Sequence, residues 1–393
     1  MKRFCVLAAF VLGVCPAHAV ILFDTGDPSV NSTEPGGDLA GSGWQYEGDW
    51  GGFLGTPISP SFFISAAHIG LAGNGLSFGG NTYSLAGTYS QPGSDLLIWK
   101  IAGTFPSFAP LYSKSDEDGQ HLVVIGRGTQ RGAERPLDNV LRGWDWGPSD
   151  GVRRWGENDV TAIVPYSGHD LVYATFDQHV VPNDHPNEAH LSSGDSGGAV
   201  FINDGGTWKL AGINFAVDGP FWDMIPADSQ TAAQTQILAA LFDDSGFYYY
   251  DDTSATYMQI PGPSPMPSGF YASRVSSELA WIGSVIADPQ VGMDGNLLTL
   301  TYWRLNVPST ELTYEVDQSS DLTSWMTATT QDEVLATVGD LQQIKSTIDP
   351  GMADHLFVRL KVTRPQSVTE GRAGLVPLSA RKMMSPLDAN SGR

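Results

Sequence analysis

A serine enclosed by glycines, in the run Gly194-Asp195-Ser196-Gly197-Gly198, follows a histidine at position 68 and an aspartate at position 95. A serine hydroxyl is a weak nucleophile until an imidazole takes its proton. The imidazole in turn needs a carboxylate to fix its tautomer and steady its charge. His68, Asp95 and Ser196 therefore supply the three groups of acyl-transfer chemistry, in one of the chain orders known for it. A tight turn at Gly194 would aim the backbone N–H groups of Gly194 and Ser196 at one point, where an oxyanion could be held. Each residue also has a plainer reading. Glycine and serine are ordinary turn residues, a histidine after an apolar strand is commonly structural, and an aspartate that opens a strand suits a turn.

Three residues so far apart meet only if the elements between them fold back on each other. His68 closes the apolar run FFISAAH, Asp95 opens DLLIWKI, and Ser196 stands just before GGAVFI. NTYSLAGTYS, HLVVIGRG, DLVYATF and WKLAGINFAV are similar short runs bounded by Gly, Pro, Asn or Asp, the pattern of strands joined by turns. Without intervening helices they predict antiparallel barrels or sandwiches, not a parallel sheet. Two stretches read as helices. TAAQTQILAALF (231–242) has high helix propensity, and the run 274–286 places Val275, Leu279, Ile282 and Ile286 on one face.

The segments SAAH, SDLLIWKI and GDSGGAV resemble the three signature segments of the chymotrypsin/trypsin-like serine protease family. Gly212-Ile213 and the stretch SGFYASRVSSELAWIGSVI extend the resemblance, which covers roughly residues 45 to 287. It implies an all-β protein: two packed antiparallel β-barrels with a C-terminal helix and the site in the cleft between them. It also implies peptide-bond hydrolysis through an acyl-enzyme and no cofactor. Ser196 would attack, His68 would carry the proton, Asp95 would orient His68, and the Gly194 and Ser196 amides would hold the oxyanion.

The resemblance has departures. Ile69 and Ser192 stand where the family often has cysteines. Phe215-Ala216-Val217 occupies the place of the family's Ser-Trp-Gly strand, so Asp95 is expected to lack one supporting hydrogen bond. The implied substrate pocket comprises His190, Leu191, Phe215, Ala216 and Val217. His190 at its floor, neutral or protonated, would favour an acidic side chain, whereas Val217 in its wall would favour small aliphatic ones. In many relatives the residue matching Asp195 pairs with a new N-terminal ammonium. Val20 could supply one, but Leu22-Phe23 replace the usual Gly-Gly, so another cation or a backbone donor is expected at Asp195.

The 393-residue chain divides on paper into four parts. Lys2-Arg3, the apolar run 4–14 and Ala17-His18-Ala19 predict a signal peptide over 1–19, hence a secreted protein, extracellular or periplasmic. Residues 20–287 would form the protease-like domain with an insertion at about 218–268, and 288–364 a small β-sandwich-like module. The polar tail 365–393 is expected to be disordered. Both cysteines, Cys5 and Cys15, fall in the predicted leader, which leaves no disulfide. The net charge of −22 offers no electrostatic footprint for nucleic acid, and no later apolar run is long enough to span a bilayer. The expected partners are a protein or peptide substrate and, for the C-terminal module, a surface or the substrate itself.

Other chemistries fit less well. Gly194, Ser196 and Gly198 also match the G-x-S-x-G pattern of α/β-hydrolases, but that fold needs its histidine after the serine, and only His355 follows. His179, His185 and His190 cluster without any zinc spacing, so a loop near the cleft is expected rather than a metal site. The acidic runs SDEDG (115–119) and FDDSG (242–246) do not complete a calcium loop and read as solvated turns. Trp303 and Trp325 read as core residues of the small module. The alternative of a different class is a catalytically silent pseudoprotease acting as a peptide- or surface-binding module, which peptide binding without turnover would reveal.

Overall fold

The computed structural model describes residues 20–178, 185–307, 312–351, 355–363 and 383–384. The predicted leader, His179 and the tail other than residues 383–384 lie outside the described residues.

Six strands close into a first barrel in the order Gly48–Trp50, Phe53–Ser59, Phe62–Ala66, Leu96–Ile101, Asn81–Ser90 and Gly75–Phe78. Period-2 alternation fills it. Phe63, Trp99 and Ile101 point inward with Trp50, Leu76, Phe78 and Phe105, while Phe62, Ile64 and Ile98 face a core outside it. Both faces of these strands are covered, which explains why FFISA and LLIWKI are almost wholly apolar. Burying each large side chain stabilises by about 1.5–3 kcal/mol.

A second, eight-stranded sheet is antiparallel throughout. Seven of its strands follow the order Arg154–Asp159, His121–Gly126, Ala199–Asp204, Thr207–Asp218, Gly269–Arg274, His169–Thr175 and Ala162–Tyr166. It rolls until Asn158 on the first strand donates to Thr175 O on the sixth at 2.7 Å. Leu122, Val124, Val172, Val200, Ile202, Val217 and Phe270 fill its inside. Val123, Ile125, Phe201, Leu210 and Ile213 face outward and join the outer residues of the first barrel in one core. The helix Leu279–Ile286 closes this core, with Val275, Leu279, Ile282 and Ile286 fully buried, as their spacing predicts. This is the expected all-β, chymotrypsin-like architecture of two packed β halves and a C-terminal helix.

At the N-terminal end of the described residues, Ile21–Leu22 pairs with Ala189–His190, and Val20 and Leu22 enter the second core. Two stretches depart from the sequence reading. The helix near 231 spans only Ser229–Thr235, with Asp228 capping the Thr231 amide at 2.7 Å. Ala239–Leu241 instead pairs with the strand Val140–Ser149, because its neighbours bury apolar residues on both sides. Of the acidic runs, SDEDG is the expected exposed turn except at Glu117, whereas FDDSG is buried. Glu117 is fully buried and paired with Arg274, and Asp243 is paired with Arg142.

Beyond the helix, two small antiparallel sheets pack across a core of Leu300, Tyr302, Val316, Ile344 and Ile348. Leu305 and Leu341 of this module join the core under the helix. Trp303 packs against that same core, whereas Trp325 is half-buried away from it, with the Arg359 guanidinium 4.3 Å from its ring centre.

Candidate active site

His68 sits in a single 3-10 turn, Ala67–Ile69, at the end of the strand Phe62–Ala66. Asp95 precedes the strand Leu96–Ile101, which pairs with Phe62–Ala66 so that Ala66 faces Leu96. That register puts the two side chains side by side, and the Ala67 amide donates to Asp95 O at 2.6 Å. Asp95 Oδ2 lies 2.7 Å from His68 Nδ1, and Asp95 Oδ1 accepts from the His68 amide at 2.8 Å. The other ring nitrogen, Nε2, is 2.8 Å from Ser196 Oγ. Three residues from two sheets thus form one hydrogen-bonded line. Among the described residues no further donor reaches the Asp95 carboxylate, in keeping with Phe215 in place of a serine. The Phe215 ring instead packs edge-on against His68, with centroids 5.9 Å apart.

The turn before Ser196 needs its glycines. Gly194 has φ +98° and Gly197 φ +77°, both in the left-handed region that favours glycine. A Cβ at Gly197 would lie 2.3 Å from Ser65 Oγ and 2.9 Å from Leu54 O, so this glycine lets the turn touch the first barrel. The Gly197 amide donates to Asn214 O and the Gly198 amide to Asp195 O. The Gly194 and Ser196 amides have no acceptor among the described residues. A cleft of about 660 Å³ opens beside Gly194, lined by Phe53, Arg127, Thr129, Trp146 and Gln236 among others.

Asp195 is fully buried, and desolvation pushes its carboxyl up to about 6. Opposing that are backbone donors: the amides of Ser192 and Gly128, each at 2.7 Å, with the Ser192 hydroxyl and the Val20 backbone also donating. Backbone donors are therefore what Asp195 meets, as expected, but one of them is Val20.

Among the pocket residues, Leu191, Ala216 and Val217 are buried in the second sheet, and only Phe215 is partly open. His190 is completely buried against Phe176 and Phe270, with Nδ1 2.6 Å from Leu191 O and Nε2 3.3 Å from Ser268 Oγ. Desolvation lowers its pKa to about 4, so it stays neutral near pH 7 and offers no cation to an acidic side chain.

Two supports carry no motif and were invisible in the sequence. Glu278, ahead of the C-terminal helix, accepts from Gln91 Nε2 at 2.9 Å and lies 2.8 Å from His169 Nδ1. His169 Nε2 lies 3.0 Å from Pro92 O, which clamps the turn that delivers Asp95. Gly128 is the second: its amide donates to Asp195 Oδ1, and a Cβ there would lie 2.5 Å from Asp195 Oδ2.

No protein-family profile matches the chain, and no curated protein matches it either. Solved structures do show a likeness. One is an inactive mutant form of Rv3671c from M. tuberculosis, elsewhere described as a protease: 12% identity, 68% of this chain and 98% of that one, TM-score 0.35. Another is the MamO protease domain from Magnetospirillum magneticum, at 14% identity over 47% of this chain and 80% of that one, TM-score 0.28. A third is a Glu endopeptidase in complex with MPD, at 13% identity over 46% of this chain and 83% of that one, TM-score 0.28. Likenesses this distant carry no chemistry across; the geometry must.

Proposed function

We propose that the protein is a secreted serine endopeptidase. The observation that carries this reading is the line Asp95–His68–Ser196, with contacts of 2.7 and 2.8 Å on the two nitrogens of one imidazole. Ser196 Oγ attacks the scissile carbonyl carbon while its proton passes to His68 Nε2. Asp95 holds the Nδ1 proton and stabilises the imidazolium. The Gly194 and Ser196 amides hydrogen-bond the new oxyanion. On collapse, His68 returns the proton to the leaving amine, and the acyl group remains on Ser196 until water, activated by the same imidazole, releases it.

An extended substrate has a strand to pair with. The edge of Thr207–Asp218 near the triad takes Met383–Met384 in antiparallel register, Val217 opposite Met384 and Asp218 opposite Met383. A peptide laid along that edge would run past Phe215, which touches His68.

The Val20 contact suggests how the turn is set. Cleavage after Ala19 would replace a peptide N–H beside buried Asp195 by an ammonium, and an ion pair there would hold the Ser192–Ser196 turn. The reading is tested by digesting a peptide library and sequencing the new termini. Cleavage by the native chain, and none by Ser196→Ala, is expected. Peptide binding without cleavage by the native chain would favour the silent binding module.

A further inference from the structure

A second constellation lies on the far end of the strand His121–Gly126 from the triad turn. His121 opens that strand, Glu157 lies on the neighbouring strand Arg154–Asp159, and His185 stands in the segment that leads to Ala189–His190. Their ligand atoms all fall within 4.8 Å of one another. His121 Nε2 is 3.1 Å from Glu157 Oε1, and His185 Nδ1 is 3.8 Å from the same oxygen. Tetrahedral zinc with bonds of about 2.0–2.1 Å needs its ligand atoms about 3.4 Å apart, between these two values.

The partners around the three groups set which of their ligand atoms face one another. Asn187 Nδ2 donates to Glu157 Oε2 at 2.6 Å, which leaves Oε1 facing the two rings. His185 Nε2 lies 2.9 Å from Asp159 Oδ1, an outer carboxylate that orients the ring with Nδ1 toward Glu157. His121 Nε2 is buried and, despite the nearby carboxylate, lacks the alignment of a hydrogen bond. A ring nitrogen in misaligned contact with a buried carboxylate, whose other oxygen is held by Asn187, suits a shared positive centre between them.

We propose that His121, Glu157 and His185 bind one divalent transition-metal ion of the zinc type, with water completing the shell and Asp159 and Asn187 as outer supports. The ligand set is imidazole and carboxylate, which suits zinc over calcium or magnesium. The two rings now stack 11° from parallel with centroids 4.2 Å apart. Binding turns His185 about its Cβ–Cγ bond, and His185 is the one ligand carried outside a strand. The ion would fasten the segment that runs from His185 through the Ala189–His190 strand to Ser196. This site is independent of the hydrolase reading, since no ligand touches the triad.

The test uses the full chain with Ser196→Ala, stripped with chelator and dialysed against Zn²⁺ alone, with bound metal counted per chain. One ion per chain is expected, with an unfolding midpoint raised by about 5 °C at hundredfold excess over Kd. His121→Ala and His185→Ala should each weaken binding by about 100-fold or more, Asp159→Asn by roughly 10–100-fold, and His355→Ala not at all. Where a variant fails to fold, Co²⁺ on the parent chain decides: strong visible bands of a tetrahedral nitrogen–oxygen site are expected. Weak octahedral bands, sub-stoichiometric zinc, or equal zinc in the folded His121→Ala/His185→Ala double variant would overturn the site.

Discussion

The Ser196 oxygen sits 2.8 Å from His68 Nε2, close enough for its proton to leave toward the ring as the oxygen bonds to carbon. In the proposed mechanism, what Asp95 adds is the tautomer. With Oδ2 on Nδ1, the ring proton stays on the carboxylate side and the lone pair faces Ser196. Asp95→Asn would leave the shape intact and favour the wrong tautomer. It should lower kcat by about 10⁴-fold with little change in KM, measured on a peptide substrate. A loss below tenfold would remove Asp95 from the line. His190 makes a prediction of another kind. Its pKa falls from 6.5 to about 4 in the fold, so between those values the unfolded chain takes up a proton that the folded chain refuses. Stability from this group is complete above pH 6.5 and is lost as the pH falls toward 4, by at most about 3 kcal/mol. Asp195 acts in the opposite sense between about 6 and 3.8, because its raised pKa lets the folded chain bind the proton first. The difference between native and His190→Phe stability isolates the histidine. It should grow in favour of the variant as the pH drops from 6.5 to 4 in urea unfolding, and a flat difference would contradict its neutral burial.

Among the elements, strands that bury both faces were legible because their composition is lopsided. FFISA, LLIWKI and HLVVIG contain too few polar residues for a half-solvated strand, and each bridges two cores. The stretch 231–242 was misread because helix propensity is a local quantity. Its second half gains more from pairing with Val140–Ser149 and burying Ala239, Ala240 and Leu241 than from a helix it could form alone. The strand Gln331–Val338 escaped notice, since all but one of its residues are exposed and it lacks an apolar pattern. Met383–Met384 gave no signal either, because a two-residue strand depends on the edge that receives it. In the proposed function, that edge is the one an extended substrate pairs with. Deleting residues 381–393 should therefore lower KM for a peptide of several residues while leaving kcat nearly unchanged. An unaltered KM would show that the pairing does not compete with substrate.

Across the whole molecule, the residues of the Asp95–His68–Ser196 line could be picked out in the sequence, and what supports the line could not. Residue types, order and flanking segments were enough to single out His68, Asp95 and Ser196. The Glu278–His169 clamp on the turn before Asp95 joins residues 187 and 109 positions apart and needs the fold to be seen. The same holds for His121, Glu157 and His185. The sequence grouped His185 with its near neighbours, while the rolled sheet groups it with a strand 64 positions earlier, between His121 and His185. The N-terminal segment ties these scales together, since Val20, Ile21 and Leu22 are all buried and Val20 reaches Asp195. A chain made to begin at Val20 should turn over peptides at least about tenfold faster than one that keeps a folded extension before it, as an ammonium replaces an amide at a buried carboxylate. Equal rates would mean the backbone donors alone set the turn. The most direct test of the central claim is the intact mass of the protein beginning at Val20 after exposure to a fluorophosphonate probe, beside the Ser196→Ala variant. A single adduct on the native chain, absent from the variant, is the predicted result; folded native protein that stays unlabelled would contradict it.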